Sequence, residues 1–381
     1  MGTQQTSVRV AVAATGALAA LVVGFGAGTA NAVPPANGTA DVLAVVGSDT
    51  TFNFMTAFTK TFNANTTVNK DRDKMINIAA KPTGNQTIPA QGACTTPRTY
   101  GLGHLPPDGS GAGRTALYGT DGLMENADNT STGCLDIARS SGSRDAAVDP
   151  ATAKFFAYAK DAVSYTYWGA GPANLSQADL QAIYTCSKTT WQQIPGSGKT
   201  GTILRYLPQS GSGTRDFFLK TVLGGVTVAP STTACPLDET VQENTGSAVP
   251  SAKRAKAILP YSAGQWVVQN KSGGAADKTA GNKIGALNGV KAATGNGTTA
   301  KPNTGGILDG SFLGSRFLFN VLDTRIPSYG QALRAVGVDA KGAGLLCNGS
   351  QAAAISKAGF VPLAKGATGG GLTVASACRL S

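Results

Sequence analysis

Three times along this chain a turn of Ser, Thr and Gly leads into helical periodicity. The turns are GSDTTF at 47–52, GSGAGR at 109–114 and SGSGTR at 210–215. The first amide groups of a helix have no intrahelical acceptor, and the helix dipole adds partial positive charge at that end. Glycine lets the backbone approach an oxyanion closely, and hydroxyls add donors. One such turn is an ordinary helix cap. Three in one chain point to an anion-binding cleft.

The segments around these turns alternate in period. Asp41 to Val46 (DVLAVV) reads as a strand, and Phe52, Met55, Phe58 and Phe62 recur at helical spacing after it. Further strands are expected at 76–80, 135–138, 163–168, 202–207, 257–260 and 312–322. Helices are expected from Leu175, capped by the Ser176/Asp179 box, at 216–223 and at 350–359. The Gly- and Asn-rich stretch 271–306 reads as long surface loops. Strands alternating with helices over this length mean an α/β protein.

Residues 1–32 have the form of a secretory signal. Arg9 is the basic start, 10–28 is an apolar run and Ala30-Asn31-Ala32 is an A-x-A cleavage site. The expected location is therefore secreted, or in the periplasm or cell wall, after cleavage at about Ala32. No cysteine lies in or just after the segment, so no lipid anchor is expected. Cys94, Cys134, Cys186, Cys235, Cys347 and Cys378 make an even set, and export favours disulfides. Six cysteines allow 15 pairings. Sequential pairing is the expectation, because it keeps each bridge within one part of the chain. There is no C-x-x-C with a nearby His, so neither a metal nor a cofactor is expected. The formal charge of +11 favours anionic partners, but no basic run interleaves with aromatics as nucleic-acid binding would require.

The turn SGSGTR resembles the phosphate-binding motif of the type II periplasmic solute-binding proteins, in particular the phosphate-binding subunit of the phosphate ABC importer. Other segments follow in the family's order: GSDTTF, Gly109-Ser110, DIARSS at 136–141, LSQADLQAIYTCSKTTWQQI at 175–194, FLGSRFLFNVL at 312–322 and AGFVPL at 358–363. The resemblance implies a two-lobe fold with the ligand cleft between lobes. Lobe one would comprise 41–164 plus 258–381, and lobe two 165–257. It implies anion contacts at Thr51, Phe52 (through its backbone), Ser110, Ser141, Ser212, Gly213 and Thr214. The chain departs from the pattern twice. Pro208 stands where the best-known branch has an Arg, so Arg215 is taken as the cationic contact. Ser141 stands where the family has an Asp that reads the phosphate proton, which leaves discrimination against sulfate open. Asp49 is the nearest carboxylate that could restore it, although its ordinary role would be a helix cap.

The leading expectation is a secreted, monomeric solute-binding protein that captures inorganic phosphate or a similar oxyanion. It would touch a membrane only through an ABC permease. The alternative is a secreted or wall-associated interaction protein with no transporter role and with altered or lost anion selectivity. An enzyme is disfavoured: there is no G-x-S-x-G, and His104, in a Leu-Pro-Pro loop, is the one histidine.

Overall fold

A computed structural model describes residues 41–90, 94, 96–101, 103–119, 134–338, 342–363 and 378. The expected signal segment lies outside them. Among the described residues no helix is long and apolar enough to cross a membrane.

The first strand, β1 (Val42–Gly47), is a continuous apolar run, as a strand covered on both faces must be. Leu43 and Val45 enter one apolar cluster, and Ala44 and Val46 enter another on the opposite face. The chain continues through α1 (Phe52–Ala64), β2 (Lys74–Asn77), α2 (Ser110–Tyr118) and β3 (Ile137–Ser140). Then comes β4 (Ala153–Tyr167), fifteen residues long and the spine of the molecule. It is followed by α3 (Gln177–Tyr184), β5 (Leu204–Pro208), α4 (Gly213–Phe217), β6 (Leu237–Val241), β7 (Ala257–Ser262), α5 (Ala263–Ser272), β8 (Ser315–Asp323) and α6 (Tyr329–Val336).

The main sheet runs β2-β1-β3-β8-β4-β7-β5-β6. β1 is parallel to β2 and β3, β8 runs antiparallel between β3 and β4, and β7 pairs antiparallel with the far end of β4. β5 is parallel to both β7 and β6. The sheet thus has two halves that share one strand. β4 lies against β8 up to Ala162 and against β7 from Val163 onward. Its side chains change cores at the same point. Phe156 and Tyr158 belong to the cluster of α1, whereas Tyr165 and Tyr167 belong to that of α3.

Several expectations need adjusting. The strand at 163–168 begins ten residues earlier, at Ala153, because AKFFAYAKDA is held by pairing with β8 rather than by its own propensity. The helix over 216–223 starts at Gly213 and passes into a π turn over Phe218–Val222. The stretch 271–306 is surface chain tied by two-residue strands, and it buries Leu287, Ala292, Ala293 and Ala300.

The disulfides are Cys94–Cys134, Cys186–Cys235 and Cys347–Cys378, the sequential pairing.

Candidate functional site

The turns of the two half-sheets meet backbone to backbone, and glycine makes the meeting possible. Gly109 has φ +105°, and a Cβ there would lie 2.4 Å from the Gly211 carbonyl oxygen. A Cβ on Gly213 would lie 2.3 Å from Ser110 Oγ and 2.6 Å from Ser141 Oγ. The Gly111 amide donates to the Gly211 carbonyl at 3.1 Å, which closes the contact.

Arg139 shapes the first turn. Its fully buried guanidinium donates to the carbonyls of Val45 (3.1 Å), Gly47 (2.7 Å), Ser48 (3.1 Å) and Ile78 (3.2 Å). Burial lowers its pKa to about 10. The Phe52 ring lies 5.4 Å from this guanidinium, and the Phe52 amide donates to the Asp49 carbonyl.

Hydroxyls of all three turns, with Ser141, lie near one buried point. Ser48 Oγ donates to Ser141 Oγ at 3.1 Å, and Ser110 Oγ lies 3.2 Å from Ser141 Oγ. Thr50 Oγ1 and Thr214 Oγ1 are 3.3 Å apart. Ser212 caps α4 by accepting from the Arg215 amide. Beneath them lies Arg316, the second residue of β8. It is paired with buried Asp161 at 2.8 Å, and it donates to the Ser141 carbonyl (3.2 Å), Thr214 Oγ1 (3.2 Å) and Thr50 Oγ1 (3.4 Å).

A carboxylate sits among these donors. Glu243, two residues past β6 and 2 % exposed, accepts from the Thr50 amide (3.0 Å) and Thr50 Oγ1 (3.1 Å) on one oxygen. Its other oxygen accepts from Ser212 Oγ and from the Thr214 amide (3.4 Å). Its neighbours cross over as well. Gln242 Nε2 donates to Asp108 Oδ1 at 3.1 Å and also to Asp49, and Asn244 Nδ2 donates to Thr50 Oγ1 at 3.1 Å. Burial first, then the negative charges of Glu243 and Asp108, push the Asp49 carboxyl up to about 7.

Of the residues expected from sequence, Ser110, Ser141, Ser212, Gly213 and Thr214 are brought together here. At the first turn the contact to Glu243 is made by Thr50, one residue before the expected Thr51. The Thr51 hydroxyl is buried and faces the Tyr158 hydroxyl instead. Arg215 is not brought to the buried point through its guanidinium, which donates to the Pro208 carbonyl at 3.0 Å and pairs with Glu239. Asp49 lies beside the site rather than in it. Sequence reasoning missed Thr50, Glu243 and Arg316. An Arg inside the apolar run FLGSRFLF was a usable signal, since a charge in a core strand needs a partner. Glu243, in VQENTG, carried none. Outside the turns, a cleft of about 240 Å³ is lined by Ser110, Ser212, Gly213, Arg114, Arg215 and Lys220 among others.

A family model described as the PBP superfamily domain matches residues 32–325. The chain belongs to that superfamily. Among solved structures, it resembles an ABC-type phosphate transport receptor from Vibrio cholerae, with TM-score 0.51 and 18% identity over 84% of this chain and 99% of that one. It also resembles a protein from Clostridium perfringens, solved with bound phosphate and described as a phosphate ABC transporter substrate-binding protein. There the TM-score is 0.52 and the identity 16%, over 85% of this chain and 100% of that one. At these identities the likeness is one of fold: the two-lobe architecture of solute-binding proteins. No curated protein matches the sequence. The first of these two relatives is described as a receptor and the second as a substrate-binding protein.

Proposed function

We propose that this chain is an exported solute-binding protein for an oxyanion of the phosphate class, held between two hinged lobes. The lobes expected from sequence are 41–164 with 258–381, and 165–257, but much of the segment from about 258 to 307 packs with the second lobe and is assigned to it. Leu287, Ala292 and Ile307 of the returning segment sit in the core cluster of Leu180 and Tyr184. The observation that carries the reading is the convergence of Thr50, Ser110, Ser141, Ser212 and Thr214 above Arg316 at one buried point. Preset donors in a dry site suit an oxyanion, because its hydration is replaced without reorganising the protein. Closure around the solute would present a new surface to an ABC permease.

Selectivity follows from the hydroxyl at Ser141. A hydroxyl donates or accepts, so it accommodates protonated phosphate and fully ionised sulfate alike. Calorimetry against phosphate, sulfate, arsenate and molybdate tests the proposal. Phosphate is expected to bind, with sulfate within about tenfold, or ~1.4 kcal/mol. A phosphate preference of roughly a thousandfold, about 4 kcal/mol, would show that a carboxylate does read the proton. Absence of binding by all four anions would favour the alternative, an exported interaction protein. The specific observation on that side is that a side chain of the protein itself, Glu243, occupies the donors.

A further inference from the structure

The donors of the cradle are engaged by a carboxylate that belongs to the chain. Both oxygens of Glu243 are used. One takes the amide and hydroxyl of Thr50, and the other takes the Ser212 hydroxyl and the Thr214 amide. These donors come from both half-sheets, which is the pattern expected for a bound oxyanion rather than for a local cap. The segment is positioned deliberately on both sides. The Glu243 amide donates to Gln209 Oε1 at 3.0 Å. Asn244 holds φ +56°, its Oδ1 accepts from the Ser262 amide at 2.9 Å, and its Nδ2 reaches Thr50. Three consecutive side chains, 242 to 244, therefore dock on the first half of the molecule.

We infer that Glu243 is a tethered counter-ligand of the cradle: its carboxylate takes the donors that an oxyanion uses, and a solute anion binds by displacing it. The inference rests on the oxyanion reading above and adds a regulator to the same site. A tethered competitor acts at a fixed effective concentration set by its short, ordered linker. It therefore weakens the apparent affinity for every anion by one common factor, without choosing among them. It also supplies the negative charge that keeps Ser212, Thr214 and Thr50 satisfied.

The test uses the full exported chain and two variants, Glu243→Ala and Glu243→Gln, with inorganic phosphate and acetate as probes. Calorimetry is expected to give phosphate at least tenfold tighter binding in both variants than in the wild type. Glu243→Ala is expected to melt several degrees lower than wild type. Acetate, a free carboxylate able to enter the truncated space, is expected to restore part of that loss in Glu243→Ala and to leave the wild type unchanged. Should Glu243→Ala not fold, the phosphate affinity of Glu243→Gln decides. Measurable phosphate binding within twofold of wild type in the variants, or a Glu243→Ala protein whose melting acetate does not move, overturns the inference. If acetate restores melting while phosphate binds neither variant, the carboxylate's place in the cradle stands and the phosphate reading falls.

Discussion

Arg316 and Arg215 show how differently two arginines near one site are employed. Arg316 is 2 % exposed and forms an ion pair with Asp161, itself 1 % exposed, while touching Ser141, Thr50 and Thr214. Removing one partner of a buried pair leaves the other charge uncompensated, at a cost of about 3–5 kcal/mol. Arg316→Met is therefore expected to lose roughly that much stability in urea denaturation, and Arg316→Met with Asp161→Asn less than the two changes summed. Arg215→Ala removes a partly exposed pair with Glu239, and the expected loss is below about 1 kcal/mol with the cradle intact. Equal losses for the two arginines would contradict this division. Asp49 gives a pH signature. Its carboxyl titrates near 7 against an ordinary 3.8, raised by burial and by Glu243 and Asp108 and opposed by Arg139 and Lys278. The folded state therefore binds a proton that the unfolded chain releases. The contribution of Asp49 to stability is greatest below about pH 4 and is lost as pH rises to about 7. Melting temperature followed from pH 5 to pH 8 is expected to fall less in Asp49→Asn than in wild type. Asp136, also near 7 through burial, remains as a background of the same sign in both proteins.

At the scale of elements, the turns were legible because their chemistry is local. Ser, Thr and Gly at a helix start have few uses, and the cap at Ser212 is one of them. Which threonine of Asp49-Thr50-Thr51 makes the contact was not legible, since the short 3₁₀ turn over these residues shifts the register by one. The first ten residues of β4 were not legible either. Its Ala, Lys and Asp residues dilute the strand preference of Phe155, Phe156 and Tyr158, and its pairing partner, β8, lies about 160 residues away. Glu243 was the least legible, because its role exists only when the turns after β1 and β6, strands near opposite edges of the sheet, are brought together. Gly213 tests how tightly the turns are locked. Gly213→Ala places a methyl group against Ser110 Oγ and Ser141 Oγ. The two turns must part to accept it, at an overpacking cost of about 1–3 kcal/mol. Unchanged far-UV circular dichroism with a lowered melting temperature is expected. A variant as stable as wild type would show that the turns are not packed as described.

At the scale of the whole molecule, the distribution of disulfides separates stability from motion. Cys94–Cys134 packs beside β1 and α2, and Cys347–Cys378 packs in the cluster of α1, so both lie in the first half. Cys186–Cys235 joins the chain after α3 to the start of β6, in the second. None of the three ties one half to the other. Apart from the shared strand β4 and the return of the chain, the halves meet through reversible contacts, among them the Gly111 amide to the Gly211 carbonyl, Gln209 to Asp108 at 3.0 Å, Lys220 to Asp145 at 3.1 Å, and the docking of Glu243. If the halves move as proposed, hydrogen bonds and partly exposed ion pairs of this kind can break and re-form, whereas a covalent bridge would not. Closing loops of 31 to 49 residues, each bridge is worth roughly 3–4 kcal/mol in the chain-entropy account. Thiol titration of the denatured, unreduced protein is expected to find no free thiol. Reduction is expected to lower the melting temperature by many degrees. Where the reduced protein is still folded, phosphate is expected to change its radius of gyration in small-angle scattering as much as it does in the oxidised protein. A solute response that disappears on reduction would mean that a bridge helps to transmit closure, and that the halves do not move as separate bodies.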